Sequence, residues 1–357
     1  MKSTSSKQVK KDDRFVADVT FHPRAPAARL VVDDTGELHV KALTSPLGPG
    51  YHQEVLAKLA PVLDELDFVW AEEAPDPARA MCEWLVGVVQ KAGDDQVLIG
   101  LSDARSFISD APVLTALGPR DPAWRDAVIA DPMKALDAFA WPTHGPGYRE
   151  RADALLAMWQ EVPWREPMDD SEHMLMERVE ADLAAAAKAG AKDLPYPEWS
   201  LLLDFLGRDD AESLKIRKIA GDAPTTIGYR RLDMEIALSG GWSVQIPASF
   251  AGRWEDDGGR YLASDGERAI EFTSLTADGE TDSQKLLDVA PPKFTVIDTF
   301  ETGSLKARAE ISDEDDIHIV HGLVAAAPHV AILTLKGRKS DEPWALKTLR
   351  SLVRSEP

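Results

Sequence analysis

The sequence is poor in cysteine, with Cys82 alone among 357 residues. One cysteine cannot form a disulfide within the chain, and it cannot build a thiolate zinc site. It lies in the apolar stretch Ala-Met-Cys-Glu-Trp-Leu, which has helical character. Free cysteines are usually buried, so we expect a structural thiol in a helical core.

Long hydrophobic runs are also missing. No stretch approaches the ~18 apolar residues of a membrane helix, and the longest weakly polar stretch, near 323–335, contains Pro328 and His329. Residues 1–14 carry five basic side chains, but no apolar segment follows them as in a signal peptide. We therefore expect a cytoplasmic protein without a membrane segment, in which residues 1–14 form a disordered basic tail.

Positive charge is scarce. Lysine and arginine number 40 and aspartate and glutamate 61, so the net charge is −21. Nucleic acids and anionic membranes attract cationic surfaces, and this balance disfavours both as partners. It favours solubility and a protein partner whose surface is basic.

Signatures of catalysis are missing as well. The sequence contains no phosphate-binding glycine loop, no nucleophile elbow and no His-Glu-x-x-His. We assign no catalytic, cofactor-binding or metal-binding residue from it. The best metal candidate is His173 with Glu177 and Glu180 on a predicted helix, which we interpret as a solvated helix face. The acidic run 313–316 lacks the spaced ligands of a calcium loop and indicates a hairpin tip. His318 and His321 are three apart in a strand pattern, so alternation places them on opposite faces, which argues against a shared metal.

An enzymatic alternative stays open. Its candidate site comprises His52, His144, His173 and the segment Glu161–Asp170, whose aromatic and charged side chains could line a cleft. A hydrolytic or metal-dependent enzyme in the helical part requires these groups to converge in one pocket with shifted pKa values. A third alternative is a structural or regulatory module, which would present a broad exposed apolar patch.

Residues 15–220 have mainly helical periodicity. Short strand patterns come first, with an Asp-Asp-Thr-Gly hairpin signal at 33–36. Apolar stripes then predict helices over about 51–66, 77–91, 148–160, 170–190 and 198–206, and one or two helices over 121–140 with a break near Asp131-Pro132. Together these patterns predict an α-rich domain with a small sheet.

One short phrase occurs twice. Gly-Pro-Gly-Tyr stands at 48–51 and again at 145–148, each time before a predicted helix. Glycine and proline place a turn before a helix, and that role explains both occurrences without a duplication. Whether the phrase marks a true internal repeat stays open.

The pattern changes in the last third of the chain. A Gly-Asp-Ala-Pro-Thr-Thr stretch predicts a linker at 221–227. Residues 228–357 hold many short runs rich in β-branched residues and end in one helical pattern, which predicts an antiparallel sheet with helical cover. The fold class we expect is α+β: an α-rich N-terminal domain with a small sheet, then an antiparallel sheet domain with a C-terminal helix.

The C-terminal part resembles DcrB/PsbP-like domains over about residues 230–355. Two features carry the resemblance, an opening phrase at 241–250 (Gly-Trp-Ser-Val-Gln-Ile-Pro-Ala-Ser-Phe) and a last strand at 330–335 followed by a closing helix at 344–352. The resemblance implies the antiparallel α+β fold. The sequence lacks the secretory or lipoprotein leader of many exported members, so their role in the cell envelope is not expected here.

The N-terminal part resembles a group of bacterial proteins to which no activity is assigned. The matching phrases lie at 45–52, 111–121 and 194–199, within about residues 20–210. Similar acidic proteins accompany bacterial toxin and type VI secretion systems as immunity proteins or effector chaperones, and DcrB-like domains form the Eag chaperones of that system. The resemblance implies a non-enzymatic binding protein whose partner is a basic secreted effector or toxin, without a cofactor.

Overall fold

The computed structural model describes residues 15–68, 76–101, 106–255, 258–277, 279 and 282–355. The basic segment 1–14 lies outside the described residues. Two compact units make up the chain. Unit 2 contains Pro163–Glu172, residues 106–108 and the chain from Tyr229 onward, and unit 1 contains the rest. Two short segments of the N-terminal half therefore belong to the C-terminal unit.

The helices and strands of the N-terminal half follow in chain order. They are β1 (Phe15–Val19), β2 (Ala28–Val32), β3 (Leu38–Lys41), α1 (Pro49–Glu65), α2 (Pro77–Ala92), β4 (Val97–Ile99), β5 (Ser106–Phe107), β6 (Val113–Thr115), β7 (Gly118–Arg120), α3 (Pro122–Ala130), α4 (Tyr148–Gln160), α5 (Asp170–Ala189), α6 (Tyr196–Phe205) and α7 (Ala211–Ala220). A 3₁₀ helix (Pro132–Ala138) follows α3, so the predicted break near Pro132 is confirmed.

The C-terminal half contains most of the strands. Its elements are β8 (Asp233–Ala237), β9 (Trp242–Pro247), β10 (Ala251–Trp254), β11 (Arg260–Ser264), β12 (Ala269–Thr276), α8 (Ser283–Val289), β13 (Thr295–Thr302), β14 (Leu305–Glu314), β15 (Ile317–Ala326), β16 (His329–Gly337), α9 (Glu342–Arg350) and β17 (Val353–Arg354). Three further 3₁₀ turns lie at Tyr229–Arg231, Ser239–Gly241 and Lys339–Asp341.

Unit 1 contains two three-stranded sheets among its helices. One is antiparallel in the order β1-β2-β3, and the other has the order β4-β6-β7 with β4 parallel to β6. The predicted hairpin joins β2 to β3, where Asp33 accepts the amides of Thr35 and Glu37 and Gly36 has a φ of 86°. Glycine adopts that left-handed conformation without strain, which explains the turn.

Unit 1 contains an apolar cluster around Tyr51 and another around Cys82. In one, Tyr51 and Trp141 lie 5.9 Å apart between ring centroids and pack beside the imidazole of His22. The other surrounds Cys82 on α2, and the thiol is fully buried. The predicted buried cysteine is therefore confirmed, and burial raises the pKa of this thiol to about 11.

One helix in this half was not predicted. We expected the helical part to finish with the helix over 198–206, whereas α7 follows it. Asp210 starts α7 by accepting the amides of Glu212 and Ser213. The apolar pattern missed this helix because Leu214 and Ile219 face solvent, which leaves an incomplete stripe.

Unit 2 is built on a seven-stranded antiparallel sheet in the order β10-β11-β12-β16-β15-β14-β13. A second sheet has the order β17-β9-β8-β5, so a piece of the N-terminal half completes it. One face of the large sheet packs on α9, where Leu349 fills the space that Gly322 leaves open. The expected α+β class, with an antiparallel sheet and a C-terminal helix, is confirmed.

The sequence did not predict β10 or α8. No helix in the described part of the chain is long and apolar enough to cross a membrane.

Candidate functional site

The three histidines of the enzymatic alternative have three different partners in the described part of the chain. His52 lies 3.2 Å from the Thr44 hydroxyl, and burial lowers the pKa of its imidazole. His144 contacts Glu54 at 2.9 Å, and His173 contacts Glu177 at 3.4 Å on the exposed face of α5. Only the His173–Glu177 pair has the i, i+4 spacing typical of a solvated helix face. The contacts described for the three histidines give them no common partner.

The segment Glu161–Asp170 is divided between the units. Glu161 belongs to unit 1, where it pairs with Arg24 and Arg178, whereas residues 163–170 belong to unit 2. Within unit 2, Met168 and Asp169 line a cavity. The interpretation that this segment could line a cleft therefore applies to its second half.

This cavity has a volume of about 680 Å³, within the ~300–1,000 Å³ of typical ligand sites. We call it the sheet-face cavity. Its floor is the face of β10, β11, β12 and β16 that is turned away from α9, and the segment around Met168 covers it. The polar and charged lining residues are Asp169, Arg253, Arg260, Ser264, Glu271, Thr334 and Lys336.

Hydrogen bonds fix the segment that covers the cavity. The guanidinium of Arg165 makes two bonds to the Glu172 carboxylate, at 2.6 and 2.8 Å, and its Nε donates to the carbonyl of Ser249 just before β10. Glu172 also accepts the amide of Met168 at 2.9 Å. Paired bonds of this kind are geometrically specific, so the cover is held before any ligand binds.

A second surface of unit 2 lies at the other edge of the large sheet. In the described residues no strand pairs with the outer side of β13, which is eight residues long. Val296 and Thr299 are exposed on the strand, Phe294 just before it and Val289 at the end of α8, with 83% of Val289 and 40% of Val296 accessible. We call these four residues and the backbone of β13 the β13 edge surface.

The chain entering β13 is held by a buried carboxylate. Glu310 on β14 accepts the amides of Lys293 and Phe294 at 2.8 and 2.9 Å, and it pairs with Arg308 at 2.7 Å. Burial opposes ionisation of Glu310, but these hydrogen bonds and the Arg308 charge outweigh it, so its pKa lies below the usual range. The ring of Phe294 stacks on His321 at 4.6 Å.

The two strand histidines lie as the alternation of β15 predicts. His318 contacts Asp313 and Glu342 of α9, whereas His321 contacts Ser312 and Phe294 on the opposite face. A shared metal site is therefore excluded for this pair, as expected from their spacing. Elsewhere, Asp33, Glu37 and His39 place potential ligand atoms within 4.8 Å of one another on the β2–β3 hairpin. There Asp33 is already occupied by four hydrogen bonds from the turn and His39.

Unit 1 contains a cluster of titratable groups that the sequence did not reveal. His22 is 2% exposed, accepts the Arg24 amide at Nδ1 and directs Nε2 to Asp153 at 3.1 Å. Asp182 on α5 is influenced by the same carboxylate: burial, and then the negative charge of Asp153, raises its pKa to about 6. The residues come from the loop after β1, from α4 and from α5, so no sequence spacing connects them.

The raised pKa of Asp182 gives a testable pH dependence. Between its usual value of 3.8 and about 6 the folded state holds the proton more tightly, so stability falls as the pH rises through this window. We expect Asp182→Asn to increase the free energy of unfolding by about 1–2 kcal/mol at pH 7, allowing for partial exposure. Near pH 4 the variant should match the natural protein.

Urea unfolding at both pH values measures this effect. Asp209→Asn, which removes the same charge from a side chain that is 87% exposed, serves as the control and should change little at either pH. An Asp182→Asn effect of equal size at pH 4 and pH 7 would contradict the assignment.

Comparisons with known proteins add little to this geometry. Comparison with protein-family models gave no match, and neither did comparison with curated proteins. A crystal structure of a protein from Bacteroides thetaiotaomicron VPI-5482 matches with 10% identity and a TM-score of 0.27, over 34% of this chain and 48% of that chain. This chain thus spans about half the length of that protein, and the match carries no functional argument.

Proposed function

We propose that the protein is a non-enzymatic binding protein that recognises a protein partner through the β13 edge surface. The observation that carries the proposal is the long exposed edge strand with exposed apolar side chains beside it. An open edge offers unpaired amides and carbonyls to an extended segment of another chain, and side chains next to it give specificity. The other edge strand of the sheet, β10, is only four residues long.

The acidic charge of the β13 region and of the whole chain supports a partner with a basic surface. Residues 282–302 contain four acidic and two basic side chains, and the whole chain carries −21. Complementary charge raises association rates and excludes partners of the wrong sign. The resemblances of the sequence favour a secreted effector or toxin as this partner, with the protein acting as its immunity protein or adaptor in the cytoplasm.

Capture of the partner by matched variants tests the proposal. Tagged full-length protein would be purified from its native host, as the natural sequence, as Val296→Lys and as Ile332→Lys. Both substituted side chains are 40% exposed on the same sheet, but Ile332 lies on the central strand β16. A lysine on an edge strand blocks strand addition, so we expect a stoichiometric partner with the natural protein and Ile332→Lys, and at least a tenfold loss with Val296→Lys.

Equal capture by all three proteins would overturn the edge surface as the binding site. The absence of any stoichiometric partner would overturn the binding function and favour the enzymatic alternative. If the protein is an immunity protein, its gene should lie beside that of the partner toxin, and deleting the gene of this protein should make the cell sensitive to the toxin. Unchanged resistance would contradict the immunity role.

A further inference from the structure

The sheet-face cavity has features that partner binding at the β13 edge surface does not require. Its cover is fixed in place by Arg165 and Glu172, and its floor mixes aliphatic with charged side chains. Three of its lining residues are cationic and two are acidic, in a chain whose acidic residues outnumber the basic ones. A local surplus of positive charge in an acidic protein is a feature to explain.

Pairing divides the charges into two groups. Arg260 is neutralised by Glu271 at 2.5 Å, with Glu255 near it at 3.4 Å. The Asp169 carboxylate accepts the Glu172 amide and the Ser171 hydroxyl at the start of α5. In the described part of the chain, Arg253 and Lys336 have no carboxylate within ion-pair distance. Among the described residues, these two cations therefore remain available to a ligand.

Strand register places the two cations on opposite sides of the floor. Arg253 is aligned with Leu262 of β11, Glu271 of β12 and Thr334 of β16 in successive strands. Lys336 lies two residues beyond Thr334 on β16. Three strand spacings of ~4.8 Å separate β10 from β16, so the backbone positions lie ~14 Å or more apart. Leu262 and Ala269 line the floor between them, together with Glu271, which is paired with Arg260.

We propose that the sheet-face cavity binds an organic dianion, with one anionic group at Arg253, the other at Lys336, and an aliphatic body over Leu262. Charge-assisted hydrogen bonds from the two side chains would hold the carboxylate or phosphate ends. The aliphatic floor would remove the body of the ligand from water. This site is separate from the β13 edge, so its failure in a test leaves the proposed partner binding untouched.

A probe series of constant length tests the site. Suberate, octanoate, 1,8-octanediol and 1,8-diaminooctane would be titrated calorimetrically into the full-length protein, with octane-1,8-diyl bisphosphate as a second ligand with two anionic ends, each of higher charge than a carboxylate. We expect one suberate or bisphosphate per chain, bound at least tenfold more tightly than octanoate, with the diol and diamine weaker still.

Variants assign the two ends. Arg253→Gln and Lys336→Gln should each weaken suberate binding about tenfold, to the level of octanoate, because each removes one charge-assisted contact. Lys306→Gln is the control, because Lys306 lies on β14 outside the cavity and pairs with Glu301. Suberate binding no tighter than the diol would overturn the proposal. A loss confined to one of the two cavity variants would contradict a ligand with two anionic ends.

Discussion

Replacing Gly50 with alanine should lower the free energy of unfolding by at least about 3 kcal/mol, since the core has no room for a methyl group at this position. An alanine Cβ would lie 2.5 Å from the carbonyl oxygen of Thr143 and closer still to the Trp141 ring. The Gly50 amide also donates to the Trp141 carbonyl at 2.9 Å, so the helix cannot shift without breaking that bond. Thermal unfolding followed by circular dichroism measures the loss.

The second copy of the Gly-Pro-Gly-Tyr phrase supplies the control. A Cβ on Gly145 would meet only the Tyr148 ring, at an ordinary contact distance of 3.4 Å. Gly145→Ala should therefore change the stability by less than about 1 kcal/mol. A Gly50→Ala protein as stable as Gly145→Ala would show that α1 does not pack against Trp141 as described.

Replacing Glu310 with alanine should destabilise unit 2 by about 3 kcal/mol or more. The change leaves the half-buried Arg308 guanidinium without its carboxylate and the amides of Lys293 and Phe294 without their acceptor. Because those amides begin the β13 edge, partner capture should fall together with stability. Glu301→Ala, which removes an exposed pair with Lys306, should lose less than about 1 kcal/mol.

The charge of Glu310 gives this prediction a second readout. A carboxyl group whose folded-state pKa is depressed contributes stability above its usual value of 4.5, and that stability is lost as the pH falls through the folded-state value. Glu310→Gln should therefore be less stable than the natural protein at pH 7 but lose less stability on acidification. Parallel pH profiles of the two proteins would contradict the role given to the Glu310 charge.

Hydrophobic periodicity was sufficient to predict the helices and strands that have one buried face. The stripe of Val55, Leu59 and Leu63 predicted α1, and the alternation of β15 placed His318 and His321 on opposite faces. Strand β10 escaped prediction because Ala-Gly-Arg-Trp has no buried alternation, all four residues being exposed. Helix α8 is short, with little of its surface buried, and gave no stripe.

The candidate sites depend on topology that residue types do not encode. The sequence analysis grouped His52, His144 and His173 by their chemistry. In the structure they lie on α1, in the loop that precedes α4, and on α5, and each has a separate partner. The sheet-face cavity exists because residues 163–172 belong to the C-terminal unit. No local sequence pattern predicts that this segment of the N-terminal half belongs there. The Arg308–Glu310 pair could have been predicted from the sequence, since residues two apart share one face of a strand.

The two Gly-Pro-Gly-Tyr phrases show the same limit. Helix α1 starts at the proline of the first phrase, whereas α4 starts at the tyrosine of the second. Gly50 packs against Trp141 and Thr143, whereas its counterpart Gly147 packs against Ala186 and Ala189 of α5 and has a φ of 75°. Equivalent residues of the two phrases thus have different structural roles, and the phrase carries no argument for a duplication.

Amide hydrogen exchange in the complex tests the central claim most directly. The protein would be compared alone and bound to the partner captured from its host, with exchange followed along the whole large sheet. Strand addition protects outward amides of the edge strand, so the account predicts marked slowing within Thr295–Thr302 and no change in Ala251–Trp254. Protection elsewhere, with β13 exchanging as fast as in the free protein, would contradict recognition at this edge.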